Sequence, residues 1–194
     1  KVIISTAEPL KADKISIDVT SLDKNSITDY IQSLYRFGYN EIEVKFEKPE
    51  TVHYRKKEKV YVSSVIHAIA NRLIGVEVVE QLNNKIIIKS VTKELEEGFE
   101  TILRRAFLLL KETSASTVEG IEKKDDGILA SIQEKHDSIN KFVSYALRLL
   151  NKYGHPDVKK TSFYYHIIAS IDKIADILKY CARDILAYKK KLSP

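Results

Sequence analysis

Residues 86–110, IIIKSVTKELEEGFETILRRAFLLL, hold the change of period on which the fold turns. Ile86-Ile-Ile-Lys89 is a short β-branched run of the kind that suits a strand. From Leu95 onward the apolar residues recur at helical spacing instead, through Phe99, Ile102, Leu103, Ala106, Leu109 and Leu110. Strand signals stop and helical ones start near Val91, so the chain reads as α+β, with an α/β domain over 1–90 and a helical domain over 91–194.

Toward the N-terminus, Val2-Ile-Ile4, Ile15-Ser-Ile17-Asp-Val19 and Glu41-Ile-Glu-Val-Lys-Phe46 read as strands from their alternation and β-branched content. Ser26 is placed to cap a helix carrying Ile27, Tyr30, Ile31, Leu34 and Tyr35 on one face, and Gly38 ends it. A second helix is expected from Ser63 or Ser64 through Val65, Ile66, Ile69, Ala70 and Leu73 to Gly75. Val76-Glu-Val-Val-Glu80 and Ile86-Ile-Ile-Lys89 then flank Asn83-Asn84, residues that tolerate the positive φ angles of a type I′ hairpin turn. Lys48 to Lys59, with Pro49, five basic residues and no period, reads as a loop.

Toward the C-terminus, Ile128, Ile132, Ile139, Phe142, Val143, Ala146 and Leu149 mark a second long amphipathic helix, with Asp125 and Asp126 as first-turn acids. Gly154-His155-Pro156-Asp157 joins a helix-ending glycine to a helix-starting proline, and a third helix is expected from Val158 to Lys191. Three long helices with short joints predict an antiparallel three-helix bundle.

Composition removes several function classes. At 194 residues, 44% hydrophobic and 30% charged with 6 Gly and 4 Pro, the chain can bury a core, which excludes a disordered or collagen-like protein. No apolar run approaches the ~20 residues of a membrane span and no signal peptide opens the chain. The single Cys181 excludes an internal disulfide or a cysteine-based zinc site and fits a cytoplasmic protein. The net charge of +5 is divided evenly: residues 1–90 carry 14 Lys/Arg against 12 Asp/Glu, and 91–194 carry 18 against 15. The runs Arg55-Lys-Lys-Glu-Lys59 and Lys189-Lys-Lys191 read as solvated loop or helix-end charge, so no direct nucleic-acid binding is expected. His53, His67, His136, His155 and His166 show no paired-ligand spacing, and no Gly-rich phosphate loop or nucleophile elbow is present, so an enzyme is not expected. A chain that opens at Lys1 and has no methionine reads as part of a longer gene product.

The last helix carries the candidate chemistry. Ile167, Ile168, Ile171, Ile174, Ala175, Leu178, Ala182, Ile185 and Leu186 span its inward arc, and Asp172 and Asp176 fall at one edge, about 40° apart at 100° per residue. Like charges at this spacing repel, so the pair wants a cation. Two sources are open: an internal ladder with Lys179, Arg183 or a base from another helix, or a carboxylate-bound metal assisted by Glu134 and Asp137, with His136 beside them. Such a site would take Mn, Fe, Mg, Ca or Zn. Tyr153, Tyr164, Tyr165, Tyr180 and Tyr188 cluster on or near this helix and read as core or dimer-interface residues.

The segment Tyr165-His-Ile-Ile-Ala-Ser-Ile-Asp172-Lys-Ile-Ala-Asp176-Ile-Leu-Lys-Tyr-Cys-Ala-Arg-Asp-Ile-Leu186 resembles the last helix of PhoU domains, in which an acid, three residues and an Asp recur. Leu103-Arg-Arg-Ala-Phe-Leu-Leu109 is similar to the first-helix run of archaeal members. Tyr35-Arg-Phe-Gly38-Tyr-Asn-Glu-Ile-Glu-Val44 and Asn71-Arg-Leu-Ile-Gly75-Val-Glu-Val-Val-Glu80 resemble segments of archaeal PhoU-like regulators, so the likeness runs over nearly the whole chain. It implies a PhoU-like regulator of phosphate uptake or phosphate-responsive signalling, acting through contacts with a transporter or sensor protein and able to bind metal at its acidic motifs. Asp172 stands where Glu is usual in the family, Asn140 where archaeal relatives often have Asp, and one bundle stands where bacterial proteins have two. A one-bundle chain is expected to restore the paired arrangement as a homodimer. The alternative is the sensor and dimerisation region of a DNA-binding transcription regulator whose AbrB-like domain precedes Lys1; no swapped-hairpin pattern of that kind is visible here.

Overall fold

The computed structural model describes residues 14–54, 56–92 and 98–192, with side chains as far as Tyr188. The expected strand at Val2-Ile-Ile4, together with Leu95 and Arg55, lies outside the described residues, as do the side chains of the Lys189–Lys191 run. The elements run β1 (Lys14–Asp18), α1 (Lys24–Phe37), β2 (Glu41–Lys45), β3 (Glu50–His53), β4 (Glu58–Tyr61), α2 (Val62–Ala70), β5 (Val76–Leu82), β6 (Lys85–Ser90), α3 (Phe99–Glu122), α4 (Asp126–Tyr153) and α5 (Val158–Leu192). The protein is α+β: a mixed sheet with two helices, then three long packed helices that form a bundle. No strand occurs after Ser90 among the described residues.

The chain divides into two compact units. The first takes in the described residues up to Thr92 together with Leu147–Pro156; the second takes in those from Gly98 to Ala146 and from Asp157 on. The last turns of α4 thus belong with the sheet. Arg148, 1% exposed, supplies the reason. Its Nη1 donates to the carbonyls of Tyr35 (3.0 Å) and Tyr39 (2.6 Å), its Nη2 donates to Asn40 Oδ1 (2.9 Å), and its guanidinium lies over the Tyr35 ring. Asn151 Nδ2 adds a bond to the Arg36 carbonyl, and Lys152 Nζ donates to Asn40 Oδ1. These donors gather at the negative end of α1, where the last carbonyls lack helical partners.

In the first unit, a four-stranded sheet has the order β1-β2-β6-β5, with β1 parallel to β2 and the other pairs antiparallel. Its core includes Ile17, Ile42, Val44, Ile86 and Ile88 with Ile27 and Ile31 of α1 and Val65, Ile66 and Ile69 of α2. Local chemistry departs from the sequence reading in four places. The cap of α1 is Asp23, whose carboxylate accepts from Asn25 N (2.8 Å) and from the Ser26 hydroxyl (2.7 Å), so Ser26 supports the cap and does not form it. Helix α2 ends at Ala70, although Leu73 beyond it is still buried. The Asn83-Asn84 turn joins paired strands as expected but neither residue has a positive φ, so it is not a type I′ turn; the register of the pair shifts between Val78 and Glu80. Lys48–Lys59 is not a loop: β3 and β4 pair antiparallel through it, with Lys57 at φ 54° in the connection.

In the second unit, α3 and α5 run parallel, since Phe99 at the start of one meets Tyr164 near the start of the other (centroids 5.3 Å apart, edge-on). The core contains Leu103 and Ala106 of α3, Leu129, Ile132, Ile139 and Val143 of α4, and Ile168, Ile171, Ala175 and Ala182 of α5. Gly120 permits the close approach at the α3–α4 turn, because a Cβ there would come within 3.0 Å of the Leu129 side chain. Asp125 caps α4 by accepting from Ile128 N (3.0 Å). Ile174, expected on the inward arc of α5, is instead 44% exposed.

Candidate functional site

The polar edge of the bundle is built where α4 and α5 face each other. Asp172 and Asp176, one helical turn apart on α5, meet different residues of α4. Asn140 Nδ2 donates to Asp172 Oδ1 (3.2 Å), and Asn140 Oδ1 accepts from the Ser144 hydroxyl (3.3 Å). Asp176 Oδ1 lies 2.9 Å from His136 Nε2 and accepts from Lys179 Nζ at 2.5 Å. Lys179 Nζ also lies 3.1 Å from His136 Nε2, while His136 Nδ1 is 3.2 Å from Asp137 Oδ1. Gln133 Nε2 donates to the same Asp137 oxygen.

The protonation of His136 decides which of these contacts are hydrogen bonds. An ammonium has donors only, so a neutral imidazole accepts from Lys179 at Nε2 and donates from Nδ1 to Asp137. An imidazolium donates at both nitrogens, to Asp137 and to Asp176, and then sits beside the Lys179 charge. Burial is the largest influence on the Asp176 carboxyl and works to raise its pKa; the hydrogen bond and charge of Lys179, aided by His136, outweigh it and hold the group below the usual aspartate value.

Of the residues marked by the sequence, Asp176, His136, Asp137 and Lys179 come together, and Asp172 joins Asn140 one turn away. Glu134 stays exposed and outside the cluster, and Arg183 turns to Asp184 (2.8 Å) and the Tyr180 ring. His136 is 6% exposed, more buried than a partly exposed helix residue. The signal for this was available: it stands four residues after Ile132 and three before Ile139, within the apolar stripe of α4. Arg148 escaped the sequence reading altogether, although an arginine inside Ala146-Leu-Arg-Leu-Leu150 marks a polar group in an apolar run.

The metal implied by the PhoU resemblance meets a donor set that is already committed. Asp176 carries the Lys179 ammonium where a cation would sit, and Asp172 is bonded to an amide. No group of three or more His, Cys, Asp or Glu side chains converges to hold a metal among the described residues. The cluster as folded does not fit a divalent ion; it is a buried imidazole set between two carboxylates, with the Lys179 ammonium on Asp176. No family model, curated protein or solved structure matches this chain. Among the described residues no helix is long and apolar enough to cross a membrane.

Proposed function

We propose that this chain is a PhoU-like regulator of phosphate uptake or phosphate-responsive signalling, working in the cytoplasm by binding a transporter or sensor protein and not by catalysis. The observation that carries the reading is a three-helix bundle whose last helix sets Asp172 and Asp176 one turn apart, the spacing implied by the resemblance of Tyr165–Leu186 to the last helix of PhoU domains; both acids meet α4. The His136–Asp176–Lys179 cluster supports a binding role, because every charge in it has a counter-charge inside the bundle and none is held ready as a nucleophile. In the first unit, the basic residues of the β3–β4 hairpin are partly neutralised: Lys59 pairs with Glu50 (3.2 Å) and Lys56 lies 3.8 Å from Glu58, which supports protein rather than nucleic-acid partners.

The test is binding of the purified full chain to purified components of a phosphate transporter and to a phosphate-responsive sensor kinase, read by interferometry. The reading expects a Kd of about 10 μM or tighter for one of them. Absence of binding to all of them at 100-fold higher concentration, with the chain folded by circular dichroism, would overturn it.

A further inference from the structure

Helix α5 carries two apolar stripes, of which its own bundle uses one. The first contains Ile168, Ile171, Ala175 and Ala182, all buried. The second is spaced alternately by four and three residues: Phe163, Ile167, Ser170, Ile174, Ile177, Cys181, Asp184, Tyr188. At 100° per residue it is centred about 120° from the first. Phe163 is 66% exposed, Ile174 44%, Ile177 57% and Tyr188 65%, and Cys181 is exposed.

The second stripe lies on the side of α5 away from α4, because Asp172, Asp176 and Lys179, which meet α4, occupy the opposite edge of the buried stripe. That side borders α3. On α3, Ser116 meets Lys135 of α4, and the edge opposite carries the exposed Phe107, Val118 and Ile121. The two edges therefore line one outward groove between α3 and α5. With helices of 24 and 35 residues, the overlapping face is about 36 Å long and about 20 Å wide, on the order of 700 Å², close to what each partner contributes to a standard specific interface.

We infer that this face binds a second copy of the same chain, with the two α5 helices antiparallel about a two-fold axis between positions 175 and 176. Three of the stripe's four symmetry-related pairs match in chemistry. Antiparallel pairing about that point sets Phe163 against Tyr188 of the second copy, Ser170 against Cys181, Ile174 against Ile177, and the half-buried Ile167 against Asp184. Aromatic meets aromatic, small meets small and isoleucine meets isoleucine, as a two-fold interface requires of one surface that must complement itself. His166 falls beside the opposing Asp184, adding a charge match at the rim. Parallel pairing would instead set Asp184 against its own copy. This assignment rests on the α3–α5 face and stands independently of the phosphate-regulator reading.

Sedimentation velocity of the full chain from 1 to 100 μM, under reducing conditions, tests the pairing. The wild type is expected to be dimeric at the upper end. Ile174→Glu with Ile177→Glu is expected to raise the dimer Kd at least 100-fold while leaving the circular dichroism spectrum unchanged, since both side chains are exposed in the single chain. For direction, Ser170→Cys is expected to give a covalent dimer on mild oxidation, through Cys181 of the other copy, whereas the wild type with Cys181 alone is not. A wild-type monomer throughout, which would leave the face to a different protein, overturns the inference. So does a dimer indifferent to the glutamates, or efficient Cys181–Cys181 cross-linking of the wild type.

Discussion

Arg148 ties the last turns of α4 to the end of α1. It is buried and holds two backbone carbonyls and an amide oxygen at the end of α1. Removing it strips the Tyr39 carbonyl of this donor and leaves a cavity, while Asn40 Oδ1 keeps Lys152 Nζ and the Tyr35 carbonyl keeps the Gly38 N–H; a stranded buried acceptor costs about 1–3 kcal/mol and the lost packing adds to it. Arg148→Ala is expected to lower stability by roughly 3 kcal/mol or more in urea unfolding. Arg148→Lys recovers less than half of that, because one ammonium cannot reproduce the fork that spans Tyr39 O and Asn40 Oδ1.

At the same scale, Asp176 makes the bundle's stability depend on acid. Its pKa is lowered in the folded state, so its contribution is present at neutral pH, above the unfolded value of 3.8, and is lost as pH falls through the lower folded value. Thermal unfolding of the wild type and of Asp176→Asn should therefore differ most at pH values well above 3.8 and draw together as pH falls through the lower folded value. A difference in Tm that stays constant across that range would contradict the ion pairing drawn here. The pairing was only half legible in the sequence. Spacing put Asp172, Asp176 and Lys179 on one edge, but nothing in a single helix reveals that His136 and Asn140 arrive from α4 to split the two acids between them.

Among the elements, those with a long period were readable and those stabilised by pairing were not. Helices α3, α4 and α5 follow from apolar repeats sustained over 24 to 35 residues, and β6 from three consecutive isoleucines. The β3–β4 hairpin was hidden because its strands have four residues each and are largely exposed, so their stability comes from cross-strand partners such as Lys59 with Glu50 rather than from pattern. The rotation of α5 was blurred for a related reason: with two adjacent stripes a wheel shows one broad arc, which swept Ile174 into the core although it is 44% exposed. The end of α1 was plain, since Gly38 sits at φ 116° and its N–H reaches the Leu34 and Tyr35 carbonyls. Gly38→Ala is expected to cost about 1 kcal/mol or more by denaturant unfolding, the penalty for a side chain in left-handed backbone.

For the whole molecule, the sequence division near Val91 describes where strands give way to helices, while compactness follows a different line, taking Leu147–Pro156 into the first unit through long-range bonds such as that from Arg148 to Tyr35. A contact 113 residues apart leaves no local period to read. The charge of +5, spread evenly and partly paired in the β3–β4 hairpin, predicts weak and unselective contact with nucleic acid. Fluorescence anisotropy with a 20-base-pair duplex at 150 mM salt should show no saturable binding below about 10 μM of the chain.

The central claim is that the chain restrains phosphate uptake through protein contact, and uptake itself reports on it most directly. Labelled phosphate would be followed into cells of the source organism lacking the gene, grown with ample phosphate, and into the same cells given the gene back. The account predicts uptake raised several-fold in the deletion and returned to the parental rate by the wild-type gene. Uptake that is the same in all three strains would contradict it.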